Sequence, residues 1–519
     1  MMRAAAASVA AVVALLAVLA TSGRPAAAAT SFTDVSAAAG LPSTRTRKYG
    51  GPVVAPLSNS LGLYDLLLPN HDSERTWYYA NRGDGTFTRG ADVLPYLEDV
   101  HGLAVGDADL DGLPEVILTR GGSNGDFPAP LEVLSLRGGR FLNVTTSAAL
   151  RDAPRRGRSP RFTDVDGDGD ADVIVINYRQ SPDEGTPDGG SNTVQEVFAN
   201  TGAGVHDAVA AGGGLGDTPV ERALVTDLNG DGLPELVLFP FFRVFTAVGG
   251  GEVRFEDVTR AWAGSVGLDR LSPAFAVAPL DVGGNGLTDL YVAMGPKPDV
   301  LLRNVGARRF VDASVSAGIP LDGGDHRGVA AGDLDNDGYE DLFVVRHDVP
   351  RARDYILWNN GGDGTFTVSE THGATTSPDN GRGDNAVLAD MNGDGGLDVV
   401  VSNGDFQEDA LAGTWSLYRN NRDGDAAGRH YLAVRVGRSP STNGCNTGAV
   451  VQIVDGWGRQ WRRRIESGGS SFSQSLLNVA HFGLGDADAP VQEVTVRWPS
   501  GEVASAAAVR VDQVITLGT

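Results

Sequence analysis

At 519 residues the chain is long enough for two or three domains, and its 66 acidic against 42 basic residues give a formal charge of −24. That sign excludes a general affinity for nucleic acid or anionic lipid, which needs surplus Lys and Arg. Hydrophobic content of 41% beside 21% charged residues excludes a disordered chain, and 70 glycines with 26 prolines favour a turn-rich β protein.

The N-terminus reads as a secretion signal. Met1-Met2-Arg3 supplies a positive start, Ala4 to Ala20 an apolar run, and Pro25 to Ala29 a small-residue cleavage site. Residues 1–29 are therefore expected to be removed, leaving a secreted, soluble product that begins near Thr30 and inserts in no membrane. Cys445 is the single cysteine, so no intramolecular disulfide is available. Stability outside the cytoplasm must come from core size or bound metal.

An acidic loop then recurs every fifty to sixty residues or so. Its copies start at Asp107, Asp164, Asp227, Asp281, Asp333 and Asp390, and a degenerate copy starts at Leu57. Short β-branched runs flank the loops, such as Leu103-Ala-Val105 ahead and Val116-Ile-Leu118 behind, and these are strands. A third run follows: Trp77 to Asn81, Val197 to Asn200, Val300 to Asn304, Ile356 to Asn359 and Leu417 to Asn420. A fourth opens on an aromatic, Phe87, Phe141, Phe255, Phe310 or Phe366, with Val205 as its equivalent in the third repeat. Four strands per repeat and seven repeats make an all-β chain, a seven-bladed β-propeller over residues 30–427. No aromatic strand follows Asn420, yet an unpaired Phe32-Thr-Asp-Val35 precedes the first loop. The N-terminal strand is expected to complete the seventh blade and close the ring.

Oxygen ligands at alternate positions of a tight turn suit Ca²⁺. An EF-hand would need Glu at position twelve between helices. Here position twelve is Leu118, Val175, Leu238, Val344 or Val401, and the acid stands at position nine instead. One ion is expected in each of five loops, about five ions in all. The first set is Asp107, Asp109, Asp111 and Glu115 with the carbonyl of Leu113, and the second Asp164, Asp166, Asp168 and Asp172 with that of Asp170. The third is Asp227, Asn229, Asp231 and Glu235 with Leu233. The last two are Asp333, Asp335, Asp337 and Asp341 with Tyr339, and Asp390, Asn392, Asp394 and Asp398 with Gly396. A series of Asx turns explains one acid per turn but not three or four at fixed spacing, which would raise one another's pKa without a cation. The Asp281 loop, with Gly283 and Asn285, is expected to be weak or empty. The Leu57 loop, with Asn59, Leu61 and Asp65, is expected to bind nothing.

These loops, with their Leu-Tyr-Arg-Asn and Gly-Asp-Gly-Thr-Phe tails (Gly83 to Phe87, Gly362 to Phe366), resemble FG-GAP or VCBS repeats. The resemblance spans about residues 31–425 and implies an integrin α-subunit-like propeller. From Gly428 the acidic loops stop, and strands at His430–Val436, Ala449–Val454, Arg459–Ile465, Val491–Trp498 and Val509–Leu517 make a small β domain over 428–519. Ser471 to Ser475, His481-Phe-Gly-Leu-Gly485 and Val494 to Gly501 resemble the ASPIC/UnbV domain, which commonly follows FG-GAP repeats in the cartilage acidic protein family. Asn443-Gly-Cys-Asn-Thr-Gly448 departs from that domain's usual turn. The resemblance implies an accessory module rather than an activity. Ser471, Ser473, His481 and Asp486 form a Ser/His/Asp set only superficially, because no nucleophile elbow accompanies them, and their expected role is structural.

The expected whole is an exported, calcium-binding, non-catalytic module for adhesion or binding, monomeric, with an extracellular protein or glycan as ligand. Two other readings stay open. A polysaccharide lyase needs Arg, Tyr, His and an acid converging in the central channel. A lectin needs the recurring blade aromatic exposed. Arg382-Gly-Asp384 is expected to be incidental, and His101 and His326 to pack at blade entries, since each stands alone in the sequence.

Overall fold

The computed structural model describes residues 30–48, 50–58, 62–97, 99–121, 129–152, 154–178, 194–202, 204–216, 218–347, 353–375, 380–404, 412–465 and 472–519. The expected signal segment, Asn59, Leu61 and Ser471 lie outside them. Among the described residues no helix is long and apolar enough to cross a membrane.

Seven four-stranded antiparallel sheets follow one another along the chain. Blade 1 holds Val53–Ala55, Asp65–Leu68, Trp77–Asn81 and Phe87–Arg89. Blades 2 to 6 repeat the order, opening on Val100–Gly106, Gly157–Thr163, Arg222–Thr226, Ala276–Leu280 and His326–Gly332. Blade 7 holds Gly383–Ala389, Asp398–Gly404 and Ala412–Asn420, and Phe32–Asp34 pairs antiparallel with the last of these, Phe32 opposite Asn420. The first strands of successive blades touch, and that of blade 7 touches that of blade 1, so the ring closes. An open array would have left two sheet edges exposed.

Runs such as Val399-Val-Val401 are apolar throughout because both faces of each blade are covered. Leu290 and Val292 face blade 4, where they join Val237 and Phe239. Tyr291 and Ala293, one residue out of step, face Leu342 and Val344 of blade 6. Each fully buried Val or Leu contributes about 1.5–3 kcal/mol, so seven such interfaces stabilise the chain without a disulfide. The aromatics that open the fourth strands lie in these cores: Phe32, Phe87, Phe255, Phe310 and Phe366 are all buried. In blade 3 the sequence reading is off by one residue. His206, not Val205, pairs with Asn200 as the phenylalanines pair with their partners. Its imidazole lies inside between the carbonyls of Ala171 and Gly204, to one of which the neutral ring donates, whereas Val205 is exposed.

A recurrent latch joins the blades. Asn359, at the end of the third strand of blade 6, donates Nδ2 to the carbonyl of Val282 in blade 5 at 3.0 Å and to that of Glu340 at 3.1 Å. Asn81, Asn200, Asn304 and Asn420 reach Met391, Ala108, Leu228 and Leu334 of their preceding blades in the same way.

Beyond the propeller, His430–Val436 pairs with Val479–Gly485 and, in parallel, with Gln513–Leu517. A second sheet has the order Gln460–Arg464, Val450–Val454, Val491–Arg497, Val503–Val509. The two sheets share one core that includes Leu432, Ile453, Phe482, Val494 and Trp498. The expected strand Val509–Leu517 is in fact two. Val503–Val509 ends a strand that its Ala-rich sequence hides, and Asp512, at φ 57°, turns the chain before Gln513.

This domain sits over the acidic loops. Arg435 reaches the carbonyl of Gly62, Arg438 and Asn443 that of Leu110, and Arg463 that of Gly338, while the Cys445 amide donates to Gly169 O at 2.7 Å. Trp461 packs on Gly338, whose φ of 101° and lack of a side chain admit the ring; a Cβ there would lie 2.6 Å from it. The segment from Phe472 lies against the first strands. Gln474 bridges in parallel to Ala104, its Oε1 accepts from Phe162 N at 2.7 Å, and its Nε2 donates to Phe162 O at 3.0 Å. Ser473 and Ser475 accept the amides of Leu103 and Val54. The central channel is thus occupied by the chain's own backbone.

Asn359→Ala and Gln474→Ala each strand buried backbone groups, which costs about 1–3 kcal/mol per group left unpaired. Urea unfolding should show each variant destabilised by about 2–3 kcal/mol, against under 1 kcal/mol for an exposed control such as Asn421→Ala.

Candidate metal centres

Each acidic loop is wound by its own side chains. In blade 2, Asp107 Oδ2 accepts from Gly112 N at 3.0 Å, Asp109 from Asp111 N at 3.2 Å, and Asp111 from Leu113 N at 2.8 Å. Blades 3, 4, 6 and 7 repeat the first of these bonds from Asp164, Asp227, Asp333 and Asp390. They also repeat the last, from Asp168, Asp231, Asp337 and Asp394 to the amides of Asp170, Leu233, Tyr339 and Gly396. Asp166, Asn229, Asp335 and Asn392 make the middle one.

Position nine turns the loop back on its own strand. Asp341 Oδ2 accepts from Leu334 N at 3.0 Å and Oδ1 from Asn359 N at 2.8 Å. Asp172 and Asp398 do the same. Where the third strand lacks the Asn, position nine is Glu: Glu235 takes Leu228 N, Thr246 Oγ1 and Asn229 Nδ2, and Glu115 takes Ala108 N.

This winding brings carboxylates together. One ligand oxygen from each of Asp107, Asp109 and Glu115 lies within 4.8 Å of the others, as do those of Asp164, Asp166 and Asp172, and of Asp333, Asp335 and Asp341. Position five stands outside these tight groups, and Asp111 turns to Arg137 at 2.6 Å. Burial, reinforced by neighbouring carboxylates, pushes Glu115, Asp172 and Asp398 up to about 8 and Glu235 and Asp170 to about 7. Asp107, Asp164 and Asp390 rise to about 6, and Asp333 and Asp341 go well above the usual range. Asp107 Oδ1 and Glu115 Oε1 are buried with no hydrogen-bond partner among the described residues. Convergent oxygens without donors, strained by like charge, fit a hard divalent cation.

Blade 5 is different. Gly283 supplies no ligand, and the Arg303 guanidinium stands 3.0 Å from Asp289 Oδ2, bringing a positive charge to the position-nine acid. In blade 1, Asp65 is bonded to Ser58 N, Asn81 N and Tyr78 OH. Besides Arg137 at Asp111, arginines reach two more of the expected ion loops: Arg464 meets Asp227 at 2.7 Å and Arg429 meets Asp335 at 2.7 Å.

The superficial Ser/His/Asp set is dispersed. Ser473 is bonded to blade 2, while His481 Nε2 lies 2.7 Å from Asn336 Oδ1 in blade 6 and stacks on Tyr431. Gly383 of the Arg-Gly-Asp tripeptide is buried at the start of a strand. The sequence reading missed the Asn latch, although the Asn recurs at the end of five third strands, because its acceptors belong to other blades.

The FG-GAP-like repeat family matches residues 281–344 and 339–401, and the ASPIC and UnbV family matches residues 437–519. Cartilage acidic protein 1 of Mus musculus is 23% identical over 496 residues, covering 78% of this chain and 71% of that protein. The Homo sapiens protein is 24% identical over 482 residues, covering 78% and 69%. Among solved structures, an Agrocybe aegerita lectin recognising non-reducing terminal N-acetylglucosamine aligns with TM-score 0.39 and 16% identity over 72% of this chain and 88% of its own. Bacillus licheniformis rhamnogalacturonan lyase aligns with TM-score 0.35 and 13% identity over 92% of each. The chain carries FG-GAP repeats and an ASPIC/UnbV domain, and over most of its length it is similar to cartilage acidic protein 1.

Proposed function

We propose that the chain is an exported, calcium-stabilised propeller that works as an extracellular binding or adhesion module, not as an enzyme. The observation that carries the calcium reading is the convergence of three carboxylate oxygens in blades 2, 3 and 6, with two of the oxygens in blade 2 buried and without donors. Positions one, three and nine would hold the ion, position three being Asn229 in blade 4 and Asn392 in blade 7. Bound calcium would neutralise the packed acids and tie the loop to its second strand. The protein's own residues do the rest: the loop amides orient position one, and the third-strand amide orients position nine.

Two observations support binding over the rival readings. The channel that a lyase would use is filled by Phe472 to Leu476, and the space beside it, about 190 Å³, is lined by aliphatic residues such as Leu224, Val329 and Leu477 together with Asp333, Glu340, Arg463, Arg464 and His481, but by no Tyr. The recurring aromatic that a lectin would expose is buried in five blades. Export rests on residues 1–29, and the relatives' name, which places them in cartilage, agrees with it. The ligand class is an extracellular protein or glycan.

Thermal unfolding in calcium and in chelator tests the reading. An ion present at a hundred times its Kd stabilises by about 2.7 kcal/mol, so Tm should drop by several degrees in EDTA; an unchanged Tm sinks the proposal. Two variants separate the loops. Asp109→Ala should lower Tm in calcium and leave the EDTA value unchanged. Arg303→Ala, which leaves Asp289 buried without its cation, should cost about 3 kcal/mol in both buffers.

A further inference from the structure

At the end of the propeller away from the acidic loops, His71, Asp99 and His101 meet across the boundary of blades 1 and 2. Their place follows from topology. The Leu57 loop joins one end of Val53–Ala55 to Asp65–Leu68, so the chain leaving Leu68 emerges at the other end. Asp99 and His101 stand where Val100–Gly106 begins, and that strand runs towards the Asp107 loop, so they too lie at the far end. The sequence separates the two histidines by a blade's width, and each looks solitary.

The local chain is built to present His71. Asn70 holds the turn by donating to the carbonyls of Leu68 and Arg75. His71 takes φ 51°, a left-handed conformation that costs a non-glycine residue about 1–2 kcal/mol and recurs at functional sites. Its Nδ1 meets Asp72 Oδ1 at 2.7 Å, and Asp72 is itself braced by Arg47 at 2.9 Å. Nε2 is thereby turned onto Asp99 Oδ1 at 3.0 Å. His101 Nδ1 stands 3.6 Å from the same oxygen, beyond hydrogen-bond length, and the two rings cross edge-on with centroids 5.2 Å apart.

One ligand atom from each residue lies within 4.8 Å of the other two. Ligands bound tetrahedrally at 2.0–2.1 Å are about 3.3 Å apart, and the two measured separations of 3.0 and 3.6 Å bracket that value. The Asp72 carboxylate behind His71 is the outer partner that fixes the tautomer and aim of a ligating imidazole. His101 is buried, whereas the Asp99 side chain is 28% exposed and opens the group to solvent. Two nitrogens and one oxygen suit zinc and its first-row neighbours, while calcium takes oxygen alone. We propose that His71, Asp99 and His101 form a zinc-class transition-metal site, separate in place and chemistry from the acidic loops.

The test is calorimetric zinc titration of the untagged chain in excess calcium, which competes for the oxygen loops. One equivalent of zinc should bind and should resist calcium. His71→Ala and His101→Ala should abolish binding, and Asp72→Asn, at an exposed position, should weaken it 10- to 100-fold while leaving the calcium-dependent Tm unchanged. Should the buried His101 variant fail to fold, cobalt in the unmodified chain decides. Intense visible bands of a four-coordinate, nitrogen-ligated ion support the site, and the weak bands of an all-oxygen octahedral ion overturn it. Absence of zinc binding in calcium, or binding indifferent to His71→Ala and Asp72→Asn, overturns it equally and leaves His71 and Asp99 as an ion pair only.

Discussion

The carboxylate at position nine is the joint on which the ring depends. One of its oxygens takes the amide of loop residue two, which sets the turn between the first and second strands. The other takes the amide of the third-strand Asn, which sets the next register. That Asn then donates to the residue-two carbonyl of the preceding blade. Turn, register and blade contact are therefore one network, in which each hydrogen bond contributes about 0.5–1.5 kcal/mol net. Blades 2 and 4 show the same constraint met differently. They carry Leu136 and Ala247 in place of the Asn, and a longer Glu at position nine.

The same loops receive the C-terminal domain. Its strand Gln460–Arg464 brings Arg463 towards Glu340 and Arg464 onto Asp227, while Gly483 N donates to Asp333 Oδ2 at 3.0 Å. The chain's surplus acidity is thus met partly from within by arginines on a facing sheet. A carboxylate that accepts an amide from the domain has fewer lone pairs for anything else, so docking and loop chemistry share one set of oxygens. Arg303 shows the limiting case, in which a guanidinium stands beside the acid of a loop short of ligands.

What could be read in advance was whatever repeats. Short, continuously apolar runs between Gly-Asp turns specify blades, and the count of aromatic strands placed Phe32 in blade 7 from the sequence alone. Local irregularity was harder: His206, not the expected Val205, holds the aromatic's place in blade 3, and Val503–Val509 is a strand whose alanines carry little β preference. Contacts between distant residues that no repeat position specifies were not legible. Gln474 and Phe162 are separated by more than three hundred residues, and nothing in either segment names the other. His71 and His101 fail for the same reason, since a blade boundary, not a motif, brings them together.

The C-terminal domain covers one face of the propeller and its segment Phe472 to Leu476 fills the channel. The loops over the acidic face are in contact with the C-terminal domain, and the inner walls with Phe472 to Leu476. The far face carries none of these described contacts from the C-terminal sheets, and among the described residues it exposes Tyr96, Leu97 and Phe241. The division of labour follows from charge. Packed acids serve one end of most blades as internal joints, and the other end holds the buried His71 and His101 and exposes aromatic side chains such as Tyr96 and Phe241.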